Sequence, residues 1–246
     1  MAFVLHTPET IKQAVELQSQ TGGEYLAGGT VLLVRHAAKP IDGHVISLQG
    51  IPDLKGIGYH GPILRIGALT TFTEMHKSGL LGGHFKALDE VSRIMGGPQV
   101  RNRGTLGGNI GSNSSAADAV TALVALDAVI RREGNLITCI ELSDEKVAAS
   151  AFAKVGRRNA MAVSVANMAV ARMTDGSYRV AVGACAPTVL FCQKTSAVLS
   201  SGGTFDEAAQ ALQSEIQPRT DRWGTEEYRR AVCPNLLERL LAEVAP

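Results

Sequence analysis

Cysteine is scarce in the 246 residues: Cys139, Cys185, Cys192 and Cys233 are the only four, and none forms a C-x-x-C pair. This removes the usual zinc and iron–sulfur ligand spacings and leaves buried free thiols as the expectation. An excess of either charge is also missing. With 24 Lys and Arg against 23 Asp and Glu, the net charge is +1, so the chain lacks the basic footprint of a nucleic-acid binder. No apolar run reaches the roughly 18 residues of a membrane helix. The start, MAFVLHTPET, has neither the basic residues nor the long apolar run of a secretion signal. The expectation is a cytoplasmic protein with no nucleic-acid partner and no membrane span.

What the chain does have is apolar residues at 45%, enough to bury a core of ordinary size in one large or two small domains. Thr7-Pro8-Glu9 reads as the cap and first turn of a helix carrying Ile11, Ala14, Val15 and Leu17 on one face and stopped by Gly22-Gly23. A short apolar strand at 25–27 then meets Gly28-Gly29-Thr30 and the apolar residues 31–34, giving the order strand, glycine turn, helix. Strands are expected at 45–48 and 64–67, and Thr71 with Glu74 makes a capping box. Residues 84–95 have helical periodicity and end at Gly96-Gly97-Pro98. A stretch of bare backbone, VRNRGTLGGNIGSNSSAAD (100–118), precedes a buried helix at 119–126 and a strand from Ala128.

From Leu136 the pattern turns to β-segments at 136–140, 150–155, 162–172 and 178–183, with Asp175-Gly176 as a hairpin turn. Two helices follow, one capped by Thr204 with Glu207 and one at 226–244. A domain boundary is therefore expected at 149/150, dividing a glycine-rich α/β part from antiparallel sheet with helices.

Glycine lets main-chain N–H groups approach a ligand closely, and several such donors at a strand-to-helix turn form a nest for anions. The device occurs twice, at Ala27-Gly28-Gly29-Thr30 and at Thr105-Leu106-Gly107-Gly108-Asn109, with the Thr30 and Thr105 hydroxyls as further donors. Two phosphates could be held between them. Either segment alone could equally be a tight turn. Neither has the Gly-x-Gly-x-x-Gly order of a Rossmann turn or the Lys-Ser/Thr of a Walker A loop.

The segments AGGTVLL (27–33), RIGALTTFTEM (65–75), QVRNRGTLGGNI (99–110), SSAADAVTALVALDA (114–128), FAKVGRR (152–158) and EEYRRAVCPNLLERLL (226–241) occur in order. Together they resemble the FAD-binding medium subunit of the molybdenum hydroxylases, the group of xanthine dehydrogenase and carbon monoxide dehydrogenase. The resemblance covers nearly the whole chain. It implies an α+β fold: a vanillyl-alcohol-oxidase-type FAD-binding domain at 1–149, made of two α/β subdomains (about 1–55 and 56–149), plus a small C-terminal α+β flavoprotein domain at 150–246.

The resemblance further implies that Leu26, Ala27, Gly28, Gly29, Thr30, Val31 and Leu32 hold the FAD diphosphate from one side, and Thr105, Gly107, Gly108 and Asn109 from the other. It implies that Asp118 contacts the dinucleotide and that Leu136 and Lys154 lie near the flavin ring. The alternatives are a helix N-cap for Asp118 and a solvated strand lysine for Lys154. Arg101 and Arg103 could pair with phosphate or lie at a surface.

One departure stands out. Relatives carry a strand and a Phe-Phe-x-Gly-x-x-x-Thr loop after the segment matching 127–130. Here Arg131-Arg132-Glu133-Gly134 leads directly to NLITCIEL, so an aromatic that can lie against the flavin ring in relatives is missing. The ring would be more open, covered by another chain, or bound less tightly.

The implied function is electron transfer: substrate is oxidised on a large molybdopterin-binding subunit, and electrons pass through the [2Fe–2S] clusters of a small subunit to FAD here and on to an external acceptor. The implied assembly is a dimer of heterotrimers. No residue stands out as an acid, base or nucleophile, and the six histidines are scattered. Trp223 reads as a packing anchor or a subunit contact. The alternatives are a self-sufficient FAD oxidoreductase and a flavin-free assembly subunit.

Overall fold

A computed structural model of the chain describes residues 3–37 and 41–245. The first part runs β1 (Val4–His6), α1 (Ile11–Thr21), β2 (Glu24–Leu26), α2 (Leu32–Arg35) and β3 (His44–Ser47). Its strands form a parallel sheet in the order β1-β3-β2. Ala14, Ile46, Leu48, Ile51 and Leu54 close a small core beneath it.

Next come β4 (Ile57–His60), β5 (Ile63–Gly67), α3 (Phe72–Lys77), α4 (Lys86–Ile94), α5 (Pro98–Arg103), α6 (Leu106–Gly111), α7 (Asp118–Ala125), β6 (Val129–Glu133) and β7 (Leu136–Ser143). These strands make an antiparallel sheet in the order β4-β5-β7-β6. The last part holds β8 (Val147–Gly156), β9 (Ser164–Met173), β10 (Tyr178–Gly183), β11 (Leu190–Phe191), α8 (Gln193–Ser200), α9 (Phe205–Glu215) and α10 (Glu226–Val244). Its antiparallel sheet has the order β11-β10-β9-β8. The whole is α+β.

The period of two along a strand decides what this last sheet packs against. Phe152, Ala169, Ala171 and Ala181 face the large core built with Leu64, Phe72, Phe85, Leu88 and Leu123. Their neighbours Ala151, Ala153, Met168, Val170, Val180 and Val182 face the core of α9 and α10. With both faces covered, β9 is buried almost throughout, which is why it reads as a continuous apolar run.

Both expected capping boxes form, Thr71 with Glu74 and Thr204 with Glu207. Gly176 turns the β9–β10 hairpin at φ 87. Three readings need correction. Helix α1 is capped by Thr10, whose hydroxyl accepts from Gln13 N–H, and not by Thr7. Thr10 prevails because Gln13 also reaches back to accept from Glu9 N–H, leaving Pro8 and Glu9 outside the helix. Helix α4 ends at Ile94, just ahead of Gly96-Gly97 as expected, and Pro98 sits in the first turn of α5. The bare stretch 100–118 is no plain loop: it holds the end of α5 and all of α6. Strands β1 and β4 and helix α8 were not legible, being respectively a three-residue exposed edge, a segment carrying Gly58, and a helix with no side-chain cap. Among the described residues no helix is long and apolar enough to cross a membrane.

Candidate functional site

The two glycine corners lie far apart in the chain and meet in space. Gly28 follows β2 and abuts the end of α5 so closely that a Cβ there would overlap the carbonyl oxygen of Arg103 and lie 2.7 Å from its carbonyl carbon. A Cβ on Gly104 would come 3.5 Å from Thr30 Oγ1, and one on Gly108 3.6 Å from the Ala27 Cβ. Gly29, at φ 77, turns the chain into α2 in a conformation other residues rarely adopt.

The corners differ in what they offer. No N–H of Gly28, Gly29, Thr30, Val31 or Leu32 donates to another group of the described chain. In the second corner the donors are already spent: Leu106 N–H on Thr70 O (3.0 Å), Gly107 on Ala68 O (2.8 Å), Asn109 on Thr105 O (2.9 Å), and Gly108 on Thr105 Oγ1 (3.1 Å). Gly107 is small because a Cβ would lie 2.7 Å from that of Ala68. The first corner is thus the donor and the second its floor. Asn109 adds one open acceptor, since its Oδ1 is buried with no partner.

A cleft of about 700 Å³ opens along this junction, within the range of small-molecule sites. Ala27, Gly28, Gly29, Thr30, Val31, Leu32, Thr105, Gly107, Gly108, Asn109 and Leu136 line it. Arg35 and Arg132 also line it and bring positive charge; Arg35 is anchored by donating to Ser112 O (3.0 Å). Arg35 follows the glycine turn by one helical turn, a spacing that could have marked it. At the far wall β6 and β7 are joined by Gly134-Asn135 alone, and Tyr25 Oη donates to Asn135 Oδ1 (3.2 Å).

Asp118, Lys154 and Leu26 do not line the cleft. Asp118 and Lys154 instead meet each other: Lys154 Nζ is 2.8 Å from Asp118 Oδ2, with side-chain exposures of 12% and 5%. Asp118 Oδ1 accepts from Ser164 Oγ (2.6 Å) and Asn167 Nδ2 (2.8 Å), and Thr121 Oγ1 donates to Asn167 Oδ1 (2.7 Å). A buried ion pair persists when its remaining polar atoms are satisfied in this way. Asp118 opens α7 without being its cap, a position held by Ala117, and Lys154 is not solvated. Arg101 is spent on the carbonyls of Met95 and Gly96.

An extended anion with two phosphates fits this arrangement: the residues that line the cleft carry five unspent main-chain N–H groups, the Arg35 and Arg132 guanidinium groups and one orphaned amide oxygen, over a glycine floor. All four cysteines are buried free thiols. Burial pushes the Cys192 thiol above its ordinary range, so it stays protonated at neutral pH.

Comparison with known proteins gives the family. Residues 1–165 match the FAD binding domain in molybdopterin dehydrogenase, and residues 150–244 match the CO dehydrogenase flavoprotein C-terminal domain. The chain is 28% identical to the carbon monoxide dehydrogenase medium chain of Hydrogenophaga pseudoflava, covering 97% of this chain and 96% of that one. It is 25% identical to the xanthine dehydrogenase FAD-binding subunit of Escherichia coli O157:H7, over 97% and 94%. The solved carbon monoxide dehydrogenase from Hydrogenophaga pseudoflava that lacks the Mo-pyranopterin moiety superposes with a TM-score of 0.89 at 25% identity, over 99% and 97%. The chain belongs to the FAD-binding domain family of the molybdopterin dehydrogenases and is the FAD-binding medium subunit of an oxidoreductase of the molybdenum hydroxylase group.

Proposed function

We propose that this chain passes electrons from the [2Fe–2S] clusters of a small partner subunit through FAD to an external acceptor, while substrate is oxidised on a large molybdopterin-binding subunit. The assembly would be a dimer of heterotrimers working in the cytoplasm, a compartment that suits four reduced thiols. The observation that carries the reading is the junction of Gly28 with Arg103-Gly104, which brings the first corner, with its five unspent N–H groups, to the wall of a cleft of the right size. When bound, FAD supplies two-electron and one-electron redox chemistry that no side chain here offers.

In this reading Gly28, Gly29, Thr30, Val31 and Leu32 hold the diphosphate by main-chain donors at a helix start, and Leu26 and Ala27 fix the strand that presents them. Thr105, Gly107 and Gly108 form the floor, while Asn109 Oδ1 accepts from the cofactor. Leu136 packs against a ring. The Asp118–Lys154 pair would tie α7 to the C-terminal sheet behind the cofactor unit. Residues 1–149 would form the cofactor unit and 150–246 the flavoprotein C-terminal unit.

Tagging the chain in its native host, purifying it under mild conditions and identifying what comes with it tests the reading. The expected result is a yellow complex that releases FAD and contains a molybdopterin-type large chain and a small iron–sulfur chain. Recovery of the chain alone, colourless, would overturn it.

A further inference from the structure

A second cavity of about 200 Å³ shares no residue with the cofactor cleft. Its walls include Ser114, Ser115, Arg219, Asp221, Trp223 and Arg229. Arg229, on α10, is only 3% exposed. Its Nη1 donates to Arg219 O (2.8 Å) and its Nη2 to Asp221 Oδ1 (2.7 Å), but its Nε is buried with no partner. An unpaired donor on a buried guanidinium is costly, and an incoming acceptor would remove that cost.

The other open groups are donors as well. The Ser115 hydroxyl and the Arg219 guanidinium make no hydrogen bond to the described chain. The single carboxylate is committed: Asp221 Oδ1 already takes Arg229, the Trp223 N–H (2.8 Å) and the Gly224 N–H (3.2 Å). Two guanidinium groups against one carboxylate leave a net charge of +1, which calls for a single negative charge. The volume is below that of cavities that hold drug-sized ligands or nucleotides.

We propose that this cavity binds the carboxylate of a small organic acid, held by Arg229 Nε, Arg219 and Ser115. One wall, Ser164, donates to Asp118 (2.6 Å), so the occupied site adjoins the Asp118–Lys154 pair. The site stands on its own residues, whether or not the cofactor cleft is filled.

Trp223 is the only tryptophan in the chain and lines the cavity, so its emission reports occupancy directly. The purified full chain is titrated with acetate, with phosphate and with chloride at constant ionic strength. The expected result is a saturable change with acetate and none with chloride, weakened about tenfold or more by Arg219→Ala and less by Ser115→Ala, as loss of a charge-assisted hydrogen bond predicts. Arg219 and Ser115 are chosen because Arg229 also holds the 219–224 loop and its replacement could unfold the region. A change that is the same for acetate and chloride, or one untouched by Arg219→Ala, overturns the site. Tighter binding of phosphate than of acetate overturns the ligand class.

Discussion

At the scale of single residues, Gly28 and Asn109 separate shape from chemistry. Gly28→Ala forces a methyl group onto the Arg103 carbonyl, where only main chain can yield, so the corners must part. Overpacking of this kind costs about 1–3 kcal/mol. The variant is expected to lose most of its bound FAD, read as flavin absorbance per protein, while keeping its far-ultraviolet circular dichroism; full retention of flavin would refute the close approach. Asn109→Leu should behave differently. Its buried Oδ1 lacks a partner when the cleft is empty, so the apo protein is expected to melt at the same temperature or slightly higher, while FAD binds more weakly. A variant that lost apo stability and kept its FAD would show that Asn109 serves the fold alone.

The residue scale is also where legibility in the sequence was most uneven. Paired glycines announce themselves because little besides close backbone approach or a turn explains them. The Asp118–Lys154 pair does not: its partners are 36 residues apart, and Ser164 and Asn167 complete it from another strand. No local pattern encodes that meeting. Nor could spacing reveal that the second corner spends its N–H groups on Ala68 and Thr70, which depends on where β5 ends.

At the scale of elements, α6 is a six-residue helix with two internal glycines, which on propensity alone should not form. Its start is fixed by the Thr105 hydroxyl accepting from Gly108 N–H and by the Leu106 and Gly107 bonds to the neighbouring segment. Thr105→Ala removes the cap and is expected to cost about 1 kcal/mol, with Thr105→Ser restoring most of it. Denaturant titration of the three proteins checks this, and an alanine variant as stable as the parent would mean that the neighbouring bonds alone hold α6. Elements with a local signal were readable: both capping boxes and the Asp175-Gly176 hairpin. Elements whose order comes from their surroundings, α5, α6 and α8, were not.

At the scale of the molecule, the proposed units at 1–149 and 150–246 share a core. Phe152, Ala169, Ala171, Met173 and Ala181 from the C-terminal sheet pack among Leu64, Phe72, Phe85, Leu88 and Leu123 of the cofactor unit, and β8 itself spans the proposed boundary. Separating the units would expose that shared apolar surface, so they are expected to unfold together in one calorimetric transition. FAD binds only the folded cleft, and a free concentration of about 100 times Kd should add about 2.7 kcal/mol. For a chain of this size that is a rise in Tm of roughly 5–10 °C. Because the core is common, the whole transition should move, including the part that melts α9 and α10, none of whose residues lines the cleft. Two resolved transitions, with FAD shifting only one, would show that the C-terminal unit is energetically independent and that the shared core does not couple them.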